Sequence, residues 1–244
     1  GLLLFTTTVD YCVGVVLDRD RGGASRHRRA VLSISVLVNL GVLGVFKYFN
    51  FFVDQAVELL GSIGLSATAP GIRLILPYGI SFYTFQSIGY TVDVYRRRIP
   101  ACRNVVDFAT FVAYFPQLVA GPISRAEKLL PQIRADRPRP NPSQISSGLM
   151  LILLGLAKKG VIADPLAPVV SRLFDGRSSP GPAMVVVGMV AFALQIYADF
   201  SGYTDMARGT SRLLNIELVH NFTQPYFSRN VTEFWRRWHI SLST

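Results

Sequence analysis

The chain has 244 residues, of which 50% are hydrophobic and only 16% charged, where a soluble domain carries about a quarter charged. Its formal net charge is +10, but the Lys and Arg side chains sit in short stretches between apolar runs, which excludes a nucleic-acid-binding domain with its own basic face. Apolar runs joined by short basic connections predict an all-α, polytopic membrane protein whose cations set topology beside lipid headgroups.

Taken in order, Leu2–Leu17 predicts most of one span, with Asp10 as its one ionisable position. The chain opens on Gly1, directly into an apolar run, and both ends read as cuts in a longer protein. Asp18–Arg29 holds five arginines and His27 and reads as cytoplasmic. Val31–Val53 is a full span, with Lys47 placed to snorkel among interfacial aromatics. Asp54–Gly71 lacks Lys and Arg and reads as an extracytoplasmic loop. Leu74–Val94 returns to the inside and ends at Arg96, Arg97, Arg98 and Arg103.

The second half is less regular. Phe108–Val119 is too short to span and lies between two basic loops, so it is expected to dip into the membrane and come back. Pro116, Gly121 and Pro122 would break a helix there. Pro138-Arg139-Pro140-Asn141-Pro142 reads as a stiff linker. Ile145–Ala157 is again short and ends at Lys158-Lys159. Ser178-Ser179-Pro180-Gly181-Pro182 reads as a turn before Ala183–Ala198, the last strong span, beyond which the chain turns amphipathic. Short, broken, polar-containing segments at membrane depth line a path for something polar.

Several residues could carry chemistry. His239 lies in Phe234-Trp235-Arg236-Arg237-Trp238-His239, and on a helix it would share a face with Trp235, Arg236 and Ser243. It reads either as a proton-transfer group for a hydroxyl nucleophile or as an interfacial histidine in an aromatic belt. Gln195, Asp199 and Tyr203 are spaced i, i+4, i+8, with Asp205 close behind. Asp199 follows a strongly apolar run, where an ionisable group is costly and marks function, unless it caps a segment beginning Ser201-Gly202. Ser81, Thr84 and Gln86 form a polar stripe that either lines a cavity or bonds to its own backbone. His27 and His220 read as loop histidines. Cys12 and Cys102 fit neither a disulfide framework nor a zinc site, and no carboxylate, His or Cys group has metal-ligand spacing.

Four stretches together resemble one family. They are Leu76-Pro77-Tyr78-Gly79-Ile80-Ser81-Phe82-Tyr83-Thr84-Phe85-Gln86, Phe115-Pro116-Gln117-Leu118-Val119-Ala120-Gly121-Pro122-Ile123, Tyr197-Ala198-Asp199-Phe200-Ser201-Gly202-Tyr203-Thr204-Asp205-Met206-Ala207 and Glu233-Phe234-Trp235-Arg236-Arg237-Trp238-His239-Ile240-Ser241-Leu242-Ser243. Each is similar to a motif of the membrane-bound O-acyltransferase (MBOAT) family, in its alginate O-acetyltransferase branch. The resemblance covers residues 74–244, while residues 1–73 match only as N-terminal spans of the same membrane domain.

The resemblance implies a ring of helices around a thin core with short or re-entrant helices, in a bacterial inner membrane. No bound cofactor is implied. An acyl thioester, acetyl-CoA or an acyl carrier, would serve as cytoplasmic co-substrate, drawn to the basic face. The acceptor would be an extracytoplasmic polysaccharide, with an extracytoplasmic acetyltransferase partner completing the transfer; no nucleic acid is implied. His239 matches the first of two family histidines, and the second would fall beyond Thr244, so this stretch alone is expected to be inactive. Asp199, Gln195, Tyr203, Asp205, Trp235, Arg236, Gln86, Pro116 and Gln117 are candidates for the donor or substrate path. The alternatives are D-alanyl or other acyl transfer to a cell-wall polymer by the same fold, and a transporter or flippase without covalent chemistry.

Overall fold

A computed structural model describes residues 1–20, 25–65, 71–119, 121–176 and 181–243. Arg21 of the first basic loop, residues 66–70 of the expected extracytoplasmic loop, Ala120, the Ser178-Ser179-Pro180 turn and Thr244 lie outside them. Among the described residues every regular element is helical. The chain divides into two compact units, Gly1–Ala113 with Arg125–Leu130, and Tyr114–Ser124 with Pro131–Thr244. Three helical stretches, Ser25–Ser62, Pro142–Phe174 and Pro182–Leu213, are long and apolar enough to cross a membrane.

The first unit packs α1 (Leu2–Arg19), α2 (Ser25–Ser62), α3 (Ile80–Tyr95) and α4 (Val105–Val112). Its centre is polar. Asp10, fully buried on α1, accepts from Ser35 Oγ at 2.6 Å and from Asn39 Nδ2 at 2.9 Å, both on α2. Buried polar groups persist only when bonded, so this cluster fixes the register of the two helices. A second layer is aromatic: Tyr90 packs on Phe108 with ring centres 4.6 Å apart and accepts from Cys102 N at 2.9 Å. A Cβ on Gly14 would lie 2.8 Å from the Tyr90 hydroxyl, so only glycine admits that ring. Arg28 is buried and not a topology charge. Its guanidinium donates to Leu17 O, Asp20 O and Tyr95 O, occupying carbonyls that the ends of α1 and α3 leave bare.

Two expected boundaries move in this unit. The loop expected from Asp54 is helical to Ser62, because Gln55, Ala56, Glu58 and Leu59 are good helix formers. The helix stops at Gly64, whose φ of +81° suits glycine. The span expected from Leu74 begins only at Ile80. Gly79, at φ +74°, stands as the N-cap and Pro77 precedes it, so Arg73–Pro77 runs without helix. Asn50 Nδ2 holds Leu74 O at 2.8 Å. At sixteen residues α3 is about 24 Å long, short of a bilayer core. The Phe108–Val119 segment is helical only as α4, which Asn104 caps and which ends before Pro116.

α5 (Ala126–Arg134) begins in the first unit and leaves it after Leu130, and the frame of the second unit is two long antiparallel rods. One runs through α6 (Pro142–Ala157), a wide π-helical turn at Lys158–Ala163 and α7 (Asp164–Phe174). The other is α8 (Pro182–Leu213). Both correct the expected boundaries: neither Lys158-Lys159 nor Asp199 ends a helix, because each charge finds an opposite one on the facing rod. Asp199 therefore lies within α8 and caps nothing.

The rods meet along glycines. A Cβ on Gly202 would lie 2.8 Å from Gly155 O, and one on Gly209 would lie 2.5 Å from Gly148 O. Each rod thus carries a Gly-x6-Gly pair, and the backbones touch at both crossings, the close approach that small residues permit between membrane helices. After α8 come a 3₁₀ turn at Pro225–Phe227, α9 (Val231–Arg237) and α10 (Ile240–Ser243).

Candidate functional site

The π-helical turn explains one half of the site. It sits directly before Pro165, whose ring would clash with a carbonyl four residues earlier in a regular helix. Asp164 N bonds Lys159 O five residues back, so positions i and i+5 align on one face. Lys159 Nζ accordingly reaches Asp164 at 3.1 Å and, across to α8, Asp199 at 2.7 Å. Its neighbour Lys158 reaches Asp205 at 2.6 Å. Behind Asp205 on α8, buried Arg208 lies 3.8 Å from that carboxylate and donates from Nη2 to His220 Nε2 at 2.9 Å. Arginine only donates, so His220 accepts on Nε2 and carries its proton on Nδ1. Burial, with Arg208 and Arg212 nearby, holds His220 below the ordinary histidine value. A band of opposite charges therefore crosses the middle of two span-length rods, where ionisable groups are costly unless paired.

The other half is aromatic. Tyr197 and Phe200 on α8 receive Phe222 and Tyr226 from the following loop and Trp238 beyond α9. Phe234 stacks on Trp238 at 5.6 Å and 17°. The Tyr226 hydroxyl donates to Ala193 O at 2.6 Å, fixing the loop to the helix. Asn230 caps α9 by accepting from Glu233 N, and Glu233 pairs with Arg229 and Arg237 on its outer face. The backbone bonds to Glu233, with Arg229 beside it, hold that carboxyl below its usual value.

His239 is not helical, which corrects the expected shared face with Trp235, Arg236 and Ser243. α9 stops at Arg237, Trp238 is extended, and His239 takes φ +46°, a left-handed conformation unfavourable for a non-glycine residue. Its ring stands edge-on to Phe200 with centres 4.8 Å apart. Its Nε2 is buried with no hydrogen-bond partner among the described residues. Desolvation holds the imidazole below the ordinary histidine value, so the ring is neutral at pH 7. A neutral imidazole with an open, buried nitrogen can take a proton or donate one to a bound oxygen.

The remaining candidates divide. Gln195 Oε1 is buried and unpaired, on the face of α8 that also carries Asp199 and Tyr203. Gln117 accepts from Ser124 N at 3.3 Å while its Nε2 is buried without a partner, and with Pro116 it forms the turn that Gly121 closes. Trp235 and Arg236 are exposed, and Trp235 joins the aromatic cluster only at its rim, edge-on to Phe234 with ring centres 5.3 Å apart. Gln86 belongs to the first unit, where it donates to Phe111 O at 2.8 Å and fastens α3 to α4. No hydrogen bond or ion pair joins His239 to Asp199 or Asp205 among the described residues. Sequence reasoning missed Lys158, Lys159, Arg208 and His220. For the lysines a signal existed: opposite charges interrupt two apolar runs at Lys158-Lys159 and at Asp199.

A family model described as MBOAT, membrane-bound O-acyltransferase family, matches residues 96–244. The chain is 42% identical over 244 residues to the "Probable alginate O-acetylase AlgI" of Azotobacter vinelandii, covering 100% of this chain and 48% of that protein. It is 45% identical over 246 residues to the protein of the same name from Pseudomonas putida, covering 100% and 49%. It is 33% identical over 267 residues to the "Peptidoglycan O-acetyltransferase" of Helicobacter pylori, covering 99% and 49%. The chain spans about half the length of these curated relatives.

Proposed function

The chain belongs to the membrane-bound O-acyltransferase family, and from that premise we propose that the full protein moves an acetyl group from a cytoplasmic thioester to hydroxyls of an extracytoplasmic polysaccharide. The observation that carries this reading is His239: a neutral, half-buried imidazole with an open Nε2, held in a strained turn among aromatic rings. Acyl transfer needs a base for the attacking hydroxyl and a donor for the developing oxyanion. His239 supplies one of these at Nε2, and a second histidine beyond residue 244 supplies the other. The names of the relatives support acetyl as the group and a polysaccharide as the acceptor, and the span-length helices with the bacterial source of those relatives support a bacterial inner membrane. The charged band at Lys159, Asp199 and Asp205 orients the polar core beside the aromatic seat.

The test uses the full-length protein in inside-out membrane vesicles, with labelled acetyl-CoA and the acceptor polysaccharide. Label should reach the polymer, and His239→Ala should lower that transfer by at least about 100-fold while membrane insertion is unchanged. Transfer at the wild-type rate sinks the assignment of His239. Polymer movement without label would favour a flippase.

A further inference from the structure

We propose that Asn221 is a positioning residue for His239, acting by clamping the left-handed turn that aims the imidazole. This rests on the reading of His239 as a site group, and it adds a residue that the motif around His239 does not contain.

Two backbone bonds tie the loop after α8 to the chain around His239. Thr223 N donates to Arg237 O at 3.0 Å, and Ile240 N donates to Asn221 O at 3.0 Å. Regular antiparallel pairing would set two steps on one side against two on the other. Here two steps, from Asn221 to Thr223, face three, from Arg237 to Ile240. Trp238 and His239 together oppose Phe222, one residue more than regular pairing allows, and the left-handed turn at His239 takes up the extra length. Glycine is the residue that usually occupies a left-handed position. A histidine there costs free energy and persists only where neighbours over-determine it.

Asn221 does the over-determining. It is fully buried, and its side chain adds a second bond, Oδ1 accepting from Ser241 N at 3.2 Å. One residue thus holds both amides that follow His239, through its own carbonyl and through its amide oxygen. Phe200 supports the ring from α8, and Ser241 Oγ accepts from Ile123 N at 3.1 Å on the far side. Loss of the Asn221 side chain leaves the backbone bond and the rings in place but frees Ser241 N, and with it the turn. A displacement of about 1 Å at a reacting group is enough to cost on the order of 100-fold in rate.

The experiment measures steady-state kinetics and diethyl pyrocarbonate modification on the full-length enzyme in membranes. Asn221→Ala should lower kcat at least about 10-fold with KM for acetyl-CoA within about 2-fold, since positioning acts on the reacting group and not on donor binding. Asn221→Asp, which keeps the Oδ1 acceptor and the shape, should recover most of kcat. His239 carbethoxylation, read by mass spectrometry, should speed up several-fold in Asn221→Ala as the ring leaves its seat. Wild-type kcat, or an unchanged modification rate, in Asn221→Ala overturns the clamp. If that variant fails to reach the membrane, Asn221→Ser carries the same two measurements. Should His239→Ala itself keep wild-type turnover, the functional reading fails. The modification rates still decide whether Asn221 holds the ring.

Discussion

Asp10 and His239 are both titratable groups withdrawn from water, one in each unit, and the two units treat them in opposite ways. Around Asp10 the carboxylate itself is met: Ser35 donates to one oxygen and Asn39 to both, from the next helix. Around His239 the bonding is spent on the backbone, while the buried ring nitrogen Nε2 is left open among the described residues. Burial of a polar group therefore does not identify a site. The informative difference is whether the surrounding bonds satisfy the group or hold it still and unsatisfied.

The widest separation between the two should come from Asp10→Ala. It removes the acceptor that the Ser35 hydroxyl and the Asn39 amide share, leaving them only Thr91 Oγ1 and Ser35 O inside packed helices, at roughly 1–3 kcal/mol in all. Detergent-solubilised protein should melt at a clearly lower temperature, with kcat per folded molecule unchanged. A loss of kcat at unchanged melting temperature would place Asp10 in the chemistry and erase the contrast.

Gly202→Ala comes next. Its methyl would press on Gly155 O, which is backbone and cannot rotate away, so the rods must separate at roughly 1–3 kcal/mol. Gly41→Ala in α2 is the matched control. Open space surrounds that position, and the substitution should be neutral or stabilise by up to about 1 kcal/mol, as glycine to alanine does in a helix. Equal melting temperatures for the two variants would mean that the glycine seam does not set the packing of α6 on α8.

Asp199→Asn probes the charged band with a smaller effect. Asp199 is about half exposed and shares Lys159 with Asp164, so the stability cost should stay within about 1 kcal/mol. If the band orients the polar core, transfer falls several-fold. Unchanged transfer and unchanged melting together would reduce it to a pairing between rods.

What the sequence allowed follows the same division. Membrane class and the order of apolar segments were legible, and motif spelling singled out His239 as a candidate, because hydropathy and motif spelling are local. Interruptions were misread wherever their cause lay far along the chain. Lys158-Lys159 looked like a helix end because its partners Asp199 and Asp205 lie 40 and 47 residues away. Gly148, Gly155, Gly202 and Gly209 stood in the sequence at equal spacing, yet only the pairing of two helices gives that spacing meaning. The left-handed turn at His239 was hidden for the same reason: Trp235 to Ile240 reads as a helical face until Asn221 and Thr223 come across to break it.

The smallest effect concerns acid, and it falls on the second unit, which holds both His220 and His239. His239 and His220 are both held below the ordinary histidine value, chiefly by burial. As pH falls through about 6.5, the unfolded chain takes up protons at these positions before the folded one does. The stability that their neutral forms contribute is complete above that pH and is lost below it. At His220 the charged ring also loses the Nε2 lone pair that Arg208 uses. The melting temperature of the full-length protein should therefore drop between pH 7.5 and 5.5. His220→Gln, which can still offer Arg208 an oxygen but binds no proton, should shrink that drop. An equal drop in both proteins would assign the acid sensitivity to groups other than the His220–Arg208 pair, leaving His239 as the one to test by the same substitution.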